Sequence, residues 1–350
     1  MAIEVICVAR IHEQLLLQGF ERMAEEARLR NASRQELKRL GAARSIMSAY
    51  EDDISYLHAG FCLAGLPHMR PENDEGRWVR SNGKFHLIIT PGAVVTEGRV
   101  KVVGVPYGAK ARLILVYLMS EGVKSRQVSL GKSMTAWIRS LGMPVTGGPR
   151  GSIRHIREQA LRISRCQFTF QWDDVEAKES LIQDQHLVEG GLHLWAAEEG
   201  GIFPRAITLT EQFYEHLRDH AVPLDPRAIA YLKGSPLCLD VYVWLAHRLP
   251  RLERGLEIPW AVLMQQFGAA YRSTAAFAYR MKAILPDVLA VYDGARVEAS
   301  GRGLRIQPSP PAVPASRVFL GDRASSLGDR ASSLGKTAPR LRALPAKRRA

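Results

Sequence analysis

The sequence predicts an α+β fold built from two similar units, each with three helices and a β-hairpin. Residues 112–119 are apolar nearly all round when drawn as a helix, and such a helix must be buried in a core. Residues 237–249 have the same character, and Tyr242 follows Tyr117 by 125 residues. In both units two more helical segments and a strand pattern come next. The order of predicted elements repeats although the residues themselves differ, which predicts two similar units in tandem.

The first unit continues with a short β-like run at 127–130 and a helical segment at 132–141, which glycines and prolines at 142–149 interrupt. A third helix is predicted from 152 onwards because apolar residues recur there at helical spacing. These residues are Ile153, Ile156, Ala160 and Ile163. Residues 166–172 then alternate apolar and polar side chains, as a half-buried strand does. Three helices, the last one basic, followed by a hairpin strand are the order of a winged helix-turn-helix, whose third helix enters the DNA major groove.

The second unit follows the same order. A strand that continues as a helix is predicted over 207–217, ahead of the apolar helix. Pro259 suits the first position of the next helix, and the third helix is predicted over 273–289. Residues 296–306 have the pattern of a hairpin. The predicted fold is therefore a pair of tandem winged-helix domains.

The rest of the chain is predicted to extend this pair at both ends. The expected segments are a helical N-terminal segment (1–45), a small β extension (46–103), winged-helix domains at 104–203 and 204–311, and a disordered basic tail (312–350). An Asn82-Gly83 turn is a strong hairpin signal in the β extension. The charged stretch 14–40 favours a peripheral helix with a solvated face, although its broken apolar stripe could pair with the core or another chain. The tail repeats seven residues within 321–334 and holds few large apolar residues, so we expect disorder.

The composition favours a polyanion as partner. The formal net charge is +13, and a basic surface of this kind most often binds nucleic acid. About half of the excess lies in 317–350, which carries nine Lys or Arg and two Asp. Four scattered cysteines predict free thiols in a reducing compartment. Without a signal-peptide pattern or an apolar run near the ~18 residues of a membrane span, we expect a cytoplasmic protein without membrane contact.

Basic and polar residues on the predicted third helices and hairpins are the candidates for DNA contact. In the first unit they are Lys132, Ser133, Arg139, Arg150, Arg154, His155, Arg157, Arg162 and Arg165. In the second unit they are Arg272, Ser273, Tyr279, Arg280, Lys282, Arg302 and Arg305. Arginines can clamp phosphates or reach guanine edges bidentately. The stripe from Arg150 to Arg165 is the main candidate, against the alternative of a solvated helix face, and Tyr279 could equally be packing.

No catalytic, cofactor or metal site is predicted. Gly131-Lys132-Ser133 resembles the end of a phosphate-binding loop, but that motif needs glycine at 126, where arginine stands, so we interpret it as a helix start. His186 and His193 lack partners at metal spacing. A nicking enzyme is improbable because the sequence has no His-x-His triplet.

Several phrases resemble plasmid-encoded replication initiators of the RepA type, over about residues 57–311. They are Ser81–Leu87, Gly104–Gly108, Leu141–Gly148, Val222–Asp225, Leu232–Leu237 and Gln307–Pro310. The resemblance implies binding to repeated sites (iterons) in double-stranded origin DNA, origin opening, and recruitment of the host initiator and replicative helicase. It also implies repression of the protein's own gene and a homodimer in equilibrium with the monomer. The alternative is a winged-helix transcriptional regulator without a replication role, which would usually carry an effector pocket or metal site.

Overall fold

A computed structural model describes residues 11–48, 53–174, 179–190 and 203–318. It mixes helices and strands, as the α+β class requires. None of its helices is long and apolar enough to cross a bilayer within these ranges.

The N-terminal segment is three short helices rather than one long one. They are α1 (Ile11–Gln18), α2 (Phe20–Leu29) and α3 (Arg34–Met47). Gly19 and Asn31 separate them with φ values of 78° and 55°, outside the helical range. Their apolar residues form a small core that includes Ala290, far along the chain. The apolar stripe of these helices therefore packs on the body of the protein, while their charged residues, such as Glu21, Glu25 and Arg28, are exposed.

The β extension joins the sheet of the first unit. Its elements are β1 (Ser55–His58), α4 (Ala59–Leu63), β2 (Trp78–Asn82), β3 (Phe85–Thr90), β4 (Ala93–Thr96) and β5 (Arg99–Val102). The predicted hairpin at Asn82-Gly83 is confirmed, since Asn82 pairs with Phe85 and Gly83 has a φ of 62°. The other neighbour of β3 in its sheet is a strand that follows residue 165 in the chain.

The first unit has the predicted order of elements. They are α5 (Gly108–Lys124), β6 (Gln127–Ser129), α6 (Met134–Ser140), α7 (Ser152–Arg165), β7 (Gln167–Asp174), β8 (Glu179–Gln185) and β9 (Ala206–Thr208). Strands β2, β3, β7 and β8 form one antiparallel sheet in that order, and β6 pairs with β9. The buried helix predicted over 112–119 is confirmed by α5, whose Ile114 and Met119 are fully enclosed. The pattern of residues 181–195 also predicts return strands, and the part from 191 onwards lies outside the described residues.

The second unit begins after β9. Its elements are α8 (Glu211–His220), β10 (Ala221–Leu224), α9 (Pro226–Leu232), α10 (Pro236–Arg248), β11 (Leu256–Pro259), α11 (Trp260–Phe267), α12 (Thr274–Ala290), β12 (Val297–Ala299) and β13 (Gly303–Ile306). Short 3-10 turns lie at Leu249–Arg251 and Ala315–Arg317. Strands β11, β13 and β12 form a three-stranded sheet in that order. The predicted hairpin over 296–306 is thus confirmed, and β11 adds a third strand beside it.

A continuous core holds the two units together. Its buried residues run from Ile46 to Ile306 and come from both units. Strand β10 pairs with β1, so the β extension also touches the second unit. Helices α5 and α10, the matching apolar helices, face each other across this core through Arg112 and Asp240. The two third helices, α7 and α12, are therefore held in a fixed relation within one body.

Candidate nucleic-acid interface

Helix α7 presents less of its surface than the sequence suggested. Its start is fixed by a reciprocal pair of hydrogen bonds: Ser152 N–H donates to Thr146 Oγ1 (2.8 Å) and Thr146 N–H donates to Ser152 Oγ (2.9 Å). The inward stripe is confirmed, because Ile156, Ala160 and Ile163 are fully enclosed. Arg154 is exposed on the helix, and Arg150 is exposed just before it. These two arginines remain candidates for DNA contact.

Arg162 and Arg157 are not on the surface, and their prediction as DNA contacts is wrong. Arg162 is 3% exposed, with Nη1 3.1 Å from Asp74 Oδ1 and Nη2 3.1 Å from Glu158 Oε1. It also donates to the Val105 carbonyl at 3.0 Å. Arg157 is 9% exposed. The loop that carries Asp74 lies against Arg162, and local periodicity gives no sign of so distant a partner.

His155 and Arg165 are half-buried and hold neighbouring segments. Both Nε and Nη2 of Arg165 donate to the Ala93 carbonyl, at 3.1 and 3.0 Å. His155 Nδ1 lies 2.6 Å from the Nζ atom of Lys110, a residue of α5 that the sequence analysis did not single out. Burial, and then the Lys110 ammonium, lowers the pKa of His155. Burial also lowers the pKa of Lys110. Lys110 adds a cation beside His155 that the linear pattern concealed.

Helix α6 begins one residue after Ser133, whose Oγ accepts a hydrogen bond from Ala136 N–H at 3.2 Å. The interpretation of Gly131-Lys132-Ser133 as a helix start is therefore confirmed, and Ser133 acts as the cap. Lys132 and Arg139 are exposed at the two ends of this helix. Both side chains face solvent, which suits contact with a phosphate backbone.

Helix α12 has the most open face of the predicted recognition elements. Ser273 caps it by accepting from Ala276 N–H at 3.2 Å. Phe277 and Met281 point into the core, while the opposite face is exposed. The exposed residues are Arg272, Ser273, Thr274, Ala275, Ala276, Tyr279, Arg280, Lys282 and Ala283. Tyr279 is 79% exposed, so the alternative that it is packing is wrong.

The hairpin after α12 carries two further candidates. Arg302 is exposed in the turn between β12 and β13. Arg305 stands opposite Glu257 in the β11–β13 register, and its Nε lies 3.4 Å from Glu257 Oε1. Ser300 also donates to Glu257 Oε1, at 2.7 Å. Arg302 is thus the more available of the two for a nucleic-acid phosphate.

One group of side chains in the described ranges has the composition of a metal site. His58, His216 and His220 each offer a ring nitrogen, and these atoms lie within 4.8 Å of one another. Sequence spacing gives no sign of the group, because 158 residues separate His58 from His216. Of the two other histidines considered as metal ligands, His186 is exposed and His193 lies outside the described residues.

Comparison with known proteins finds a family similarity in the central part of the chain. Residues 105–261 match a family model described as Plasmid encoded RepA protein. The matched range runs from α5 into α11 and so includes α7 but not α12. No curated protein and no solved structure matches. The resemblance in the sequence phrases is confirmed over residues 105–261, which make up less than half of the chain and are similar to plasmid-encoded RepA proteins.

Proposed function

We propose that this protein initiates plasmid replication by binding iterons in double-stranded origin DNA through two winged-helix units, with α7 and α12 in successive major grooves. The observation that carries the proposal is that both helices follow the same order of elements and are fixed to one core. Two such units cover roughly two helical turns, about 20 base pairs.

The second unit supports the winged-helix interpretation most directly. Strand β11 lies between α10 and α11, and the β12–β13 hairpin that follows α12 pairs with it. In the first unit the order α5, β6, α6, α7, β7, β8 is the same, but the hairpin pairs with β3 and β6 pairs with β9. The two units therefore share order and differ in how their strands join neighbouring segments.

The side chains on α12 fit a groove-binding role. Ala275 and Ala276 are small and exposed, so they allow close approach of a duplex. Arg280 and Lys282 are both exposed on the helix and would contact phosphates or base edges. Arg302, at the tip of the hairpin, would reach the adjacent backbone. Arg150, Arg154 and Lys132 would do the same for the first unit.

The remaining steps follow from the family. Several copies that wrap the origin would bend it, and flexible A·T-rich steps would absorb the strain and open. The protein would recruit the host initiator and replicative helicase, and a homodimer would repress its own gene in the cytoplasm. The histidine group described above has the composition of a metal site, a feature that the regulator alternative would also carry.

Binding to the plasmid's own origin tests the proposal. Fluorescence anisotropy would compare the full chain on origin duplex and on a scrambled duplex of the same composition. We expect R150A/R154A and R280A/K282A each to weaken binding to the origin by about 10-fold or more. The control R22A/R28A removes two exposed arginines of α2, far from both helices in sequence, and should bind like the unmodified chain. Equal affinity for both duplexes would overturn the proposal, and origin binding without support of plasmid establishment in cells would favour the regulator.

A further inference from the structure

We propose that His58, His216 and His220 form a binding site for a divalent transition-metal ion of the zinc type, which fastens α8 to the junction of β1 and α4. His58 ends β1, and the other two histidines lie four residues apart on α8. Imidazole nitrogens are among the ligands that zinc prefers, and three of them leave a fourth position for water. This inference is independent of DNA binding.

His58 supplies the strongest sign of a missing partner. The ring is fully buried, and its Nδ1 accepts a hydrogen bond from Gly60 N–H at 3.1 Å. The other ring nitrogen, Nε2, is buried and has no hydrogen-bond partner. A buried polar atom left without a partner destabilises the fold, and a bound ion is one of the explanations for such an atom. While Nδ1 accepts from Gly60 N–H, the neutral ring carries its proton on Nε2, so metal binding there would release that proton to solvent and leave His58 as an imidazolate ligand.

His220 is oriented as zinc-binding histidines usually are. Its Nδ1 lies 3.0 Å from the His216 carbonyl oxygen, which can only accept, so Nδ1 carries the proton. The lone pair of the neutral ring is therefore on Nε2. Metal-bound histidines commonly donate their other ring N–H to a carbonyl, which fixes the tautomer and the ring plane.

His216 has a comparable support in Gln185. Its Nδ1 lies 3.1 Å from Gln185 Nε2, and Gln185 Oε1 is buried without a partner. A half-turn of the Gln185 amide exchanges these two atoms, so that His216 Nδ1–H donates to Oε1. That arrangement gives the buried oxygen a partner and leaves the lone pair of His216 on Nε2.

The size of the group fits a metal after small movements. The three nitrogens lie within 4.8 Å of one another, and the ring centroids of His216 and His220 are 4.3 Å apart. Ligands of a tetrahedral zinc with bonds of about 2.0–2.1 Å stand about 3.4 Å apart. Side-chain rotations that move the ring nitrogens by about an ångström would therefore close the site. Phe170, with its centroid 4.8 Å from that of His58, shields one side. His216 and His220 are half-buried, so the open position would face solvent.

The location indicates a structural role. Strand β10 begins directly after His220 and pairs with β1, which ends at His58. Helix α8 also connects β9 of the first unit to this pairing. An ion shared by the three rings would therefore lock the connection between the units.

Metal titration of the full chain tests the proposal. The protein, stripped with EDTA and desalted, would be titrated with Zn²⁺ by calorimetry and with Co²⁺ by visible absorption, with Mg²⁺ as the probe that should not bind. We expect one Zn²⁺ per chain, a tetrahedral Co²⁺ spectrum and a higher melting temperature with Zn²⁺. H220Q changes a half-buried ligand and should weaken Zn²⁺ binding by about 10-fold or more and remove the thermal shift.

The matched control is H186Q, which changes an exposed histidine outside the group and should bind like the unmodified chain. Circular dichroism would establish that both variants are folded. Absence of Zn²⁺ binding by the unmodified chain, unchanged binding by H220Q, or loss of binding in H186Q would each overturn the proposal.

Discussion

Arg112 of α5 and Asp240 of α10 form a buried bidentate ion pair between the matching helices of the two units. Arg112 Nη2 donates to Asp240 Oδ2 at 2.7 Å, while Nε donates to Oδ1. The guanidinium also donates to the carbonyls of Leu66, Pro67 and Gly108. His68 Nε2 lies 2.9 Å from Asp240 Oδ2. Arg112 and Asp240 thus each have several hydrogen-bonding partners, which fixes how the units meet.

Breaking this pair should destabilise the whole protein. D240L would leave the Arg112 charge buried without its partner, and we expect a loss of about 3–5 kcal/mol in the free energy of unfolding, measured with urea. The double variant R112M/D240L removes both charges and should recover most of the loss. E26Q changes the exposed pair Arg22–Glu26 and should cost under about 1 kcal/mol. Equal stability of D240L and the unmodified chain would contradict this account.

The same pair predicts the response to acid. Burial alone would raise the pKa of Asp240, but Arg112 and His68 outweigh it, and the pKa is lowered overall. A carboxyl with a lowered folded pKa adds stability that is complete above the unfolded value of about 3.9 and is lost as pH falls through the folded value. Urea unfolding from about pH 6 to about pH 3 should therefore show a shallower decline in D240N than in the unmodified chain. Identical slopes below about pH 4 would count against the pair.

Substitution of Arg162 should lower stability, whereas substitution of Arg154 should lower affinity for DNA. R162A leaves Asp74 and Glu158 without their buried cation, and we expect a loss of about 3 kcal/mol in stability. R154A changes an exposed side chain and should alter stability by about 0.5 kcal/mol or less while lowering origin affinity. Urea unfolding and anisotropy on the same preparations check both. A stable R162A or a destabilised R154A would reverse the assignment of these residues.

Salt should weaken origin binding steeply. With ~6–10 phosphate contacts, affinity is expected to fall by roughly 10³-fold or more between 50 and 200 mM salt. R280A/K282A removes two of the proposed contacts on α12, so the slope of log affinity against log salt should decrease in magnitude by about two. The control R22A/R28A should keep the full slope. A flat response in the unmodified chain would contradict an interface built on phosphate contacts.

The local sequence pattern was sufficient to predict elements that depend on residues close by in the chain. The apolar stripe of α7 and the Asn82-Gly83 turn each depend on neighbours within a few residues, and both are confirmed. Pairing between distant segments was not predictable in this way. The ion pair of Arg162 with Asp74 spans 88 residues, and the pairing of β3 with β7 likewise joins separate parts of the chain.

The same reason explains which site residues were misjudged. The helical period predicts that Arg157 and Arg162 face solvent, but Arg162 contacts Asp74 in a loop whose position no helical period encodes, and Arg157 is also buried. Helix α12 carries fewer charges and so is the weaker candidate from sequence. Its side chains are nevertheless more exposed, because exposure depends on what packs against a helix. The His58 group is another case, since its members meet only after β1 and β10 pair.

Guanine-N7 protection on the plasmid's own origin tests the central claim most directly, because it reports contact within the major groove. With α7 and α12 in successive grooves, the unmodified chain should protect two patches about one helical turn apart in each repeated site. R150A/R154A should lose one patch and R280A/K282A the other. No major-groove protection, or two patches that survive in both variants, would contradict the claim that these helices read the origin.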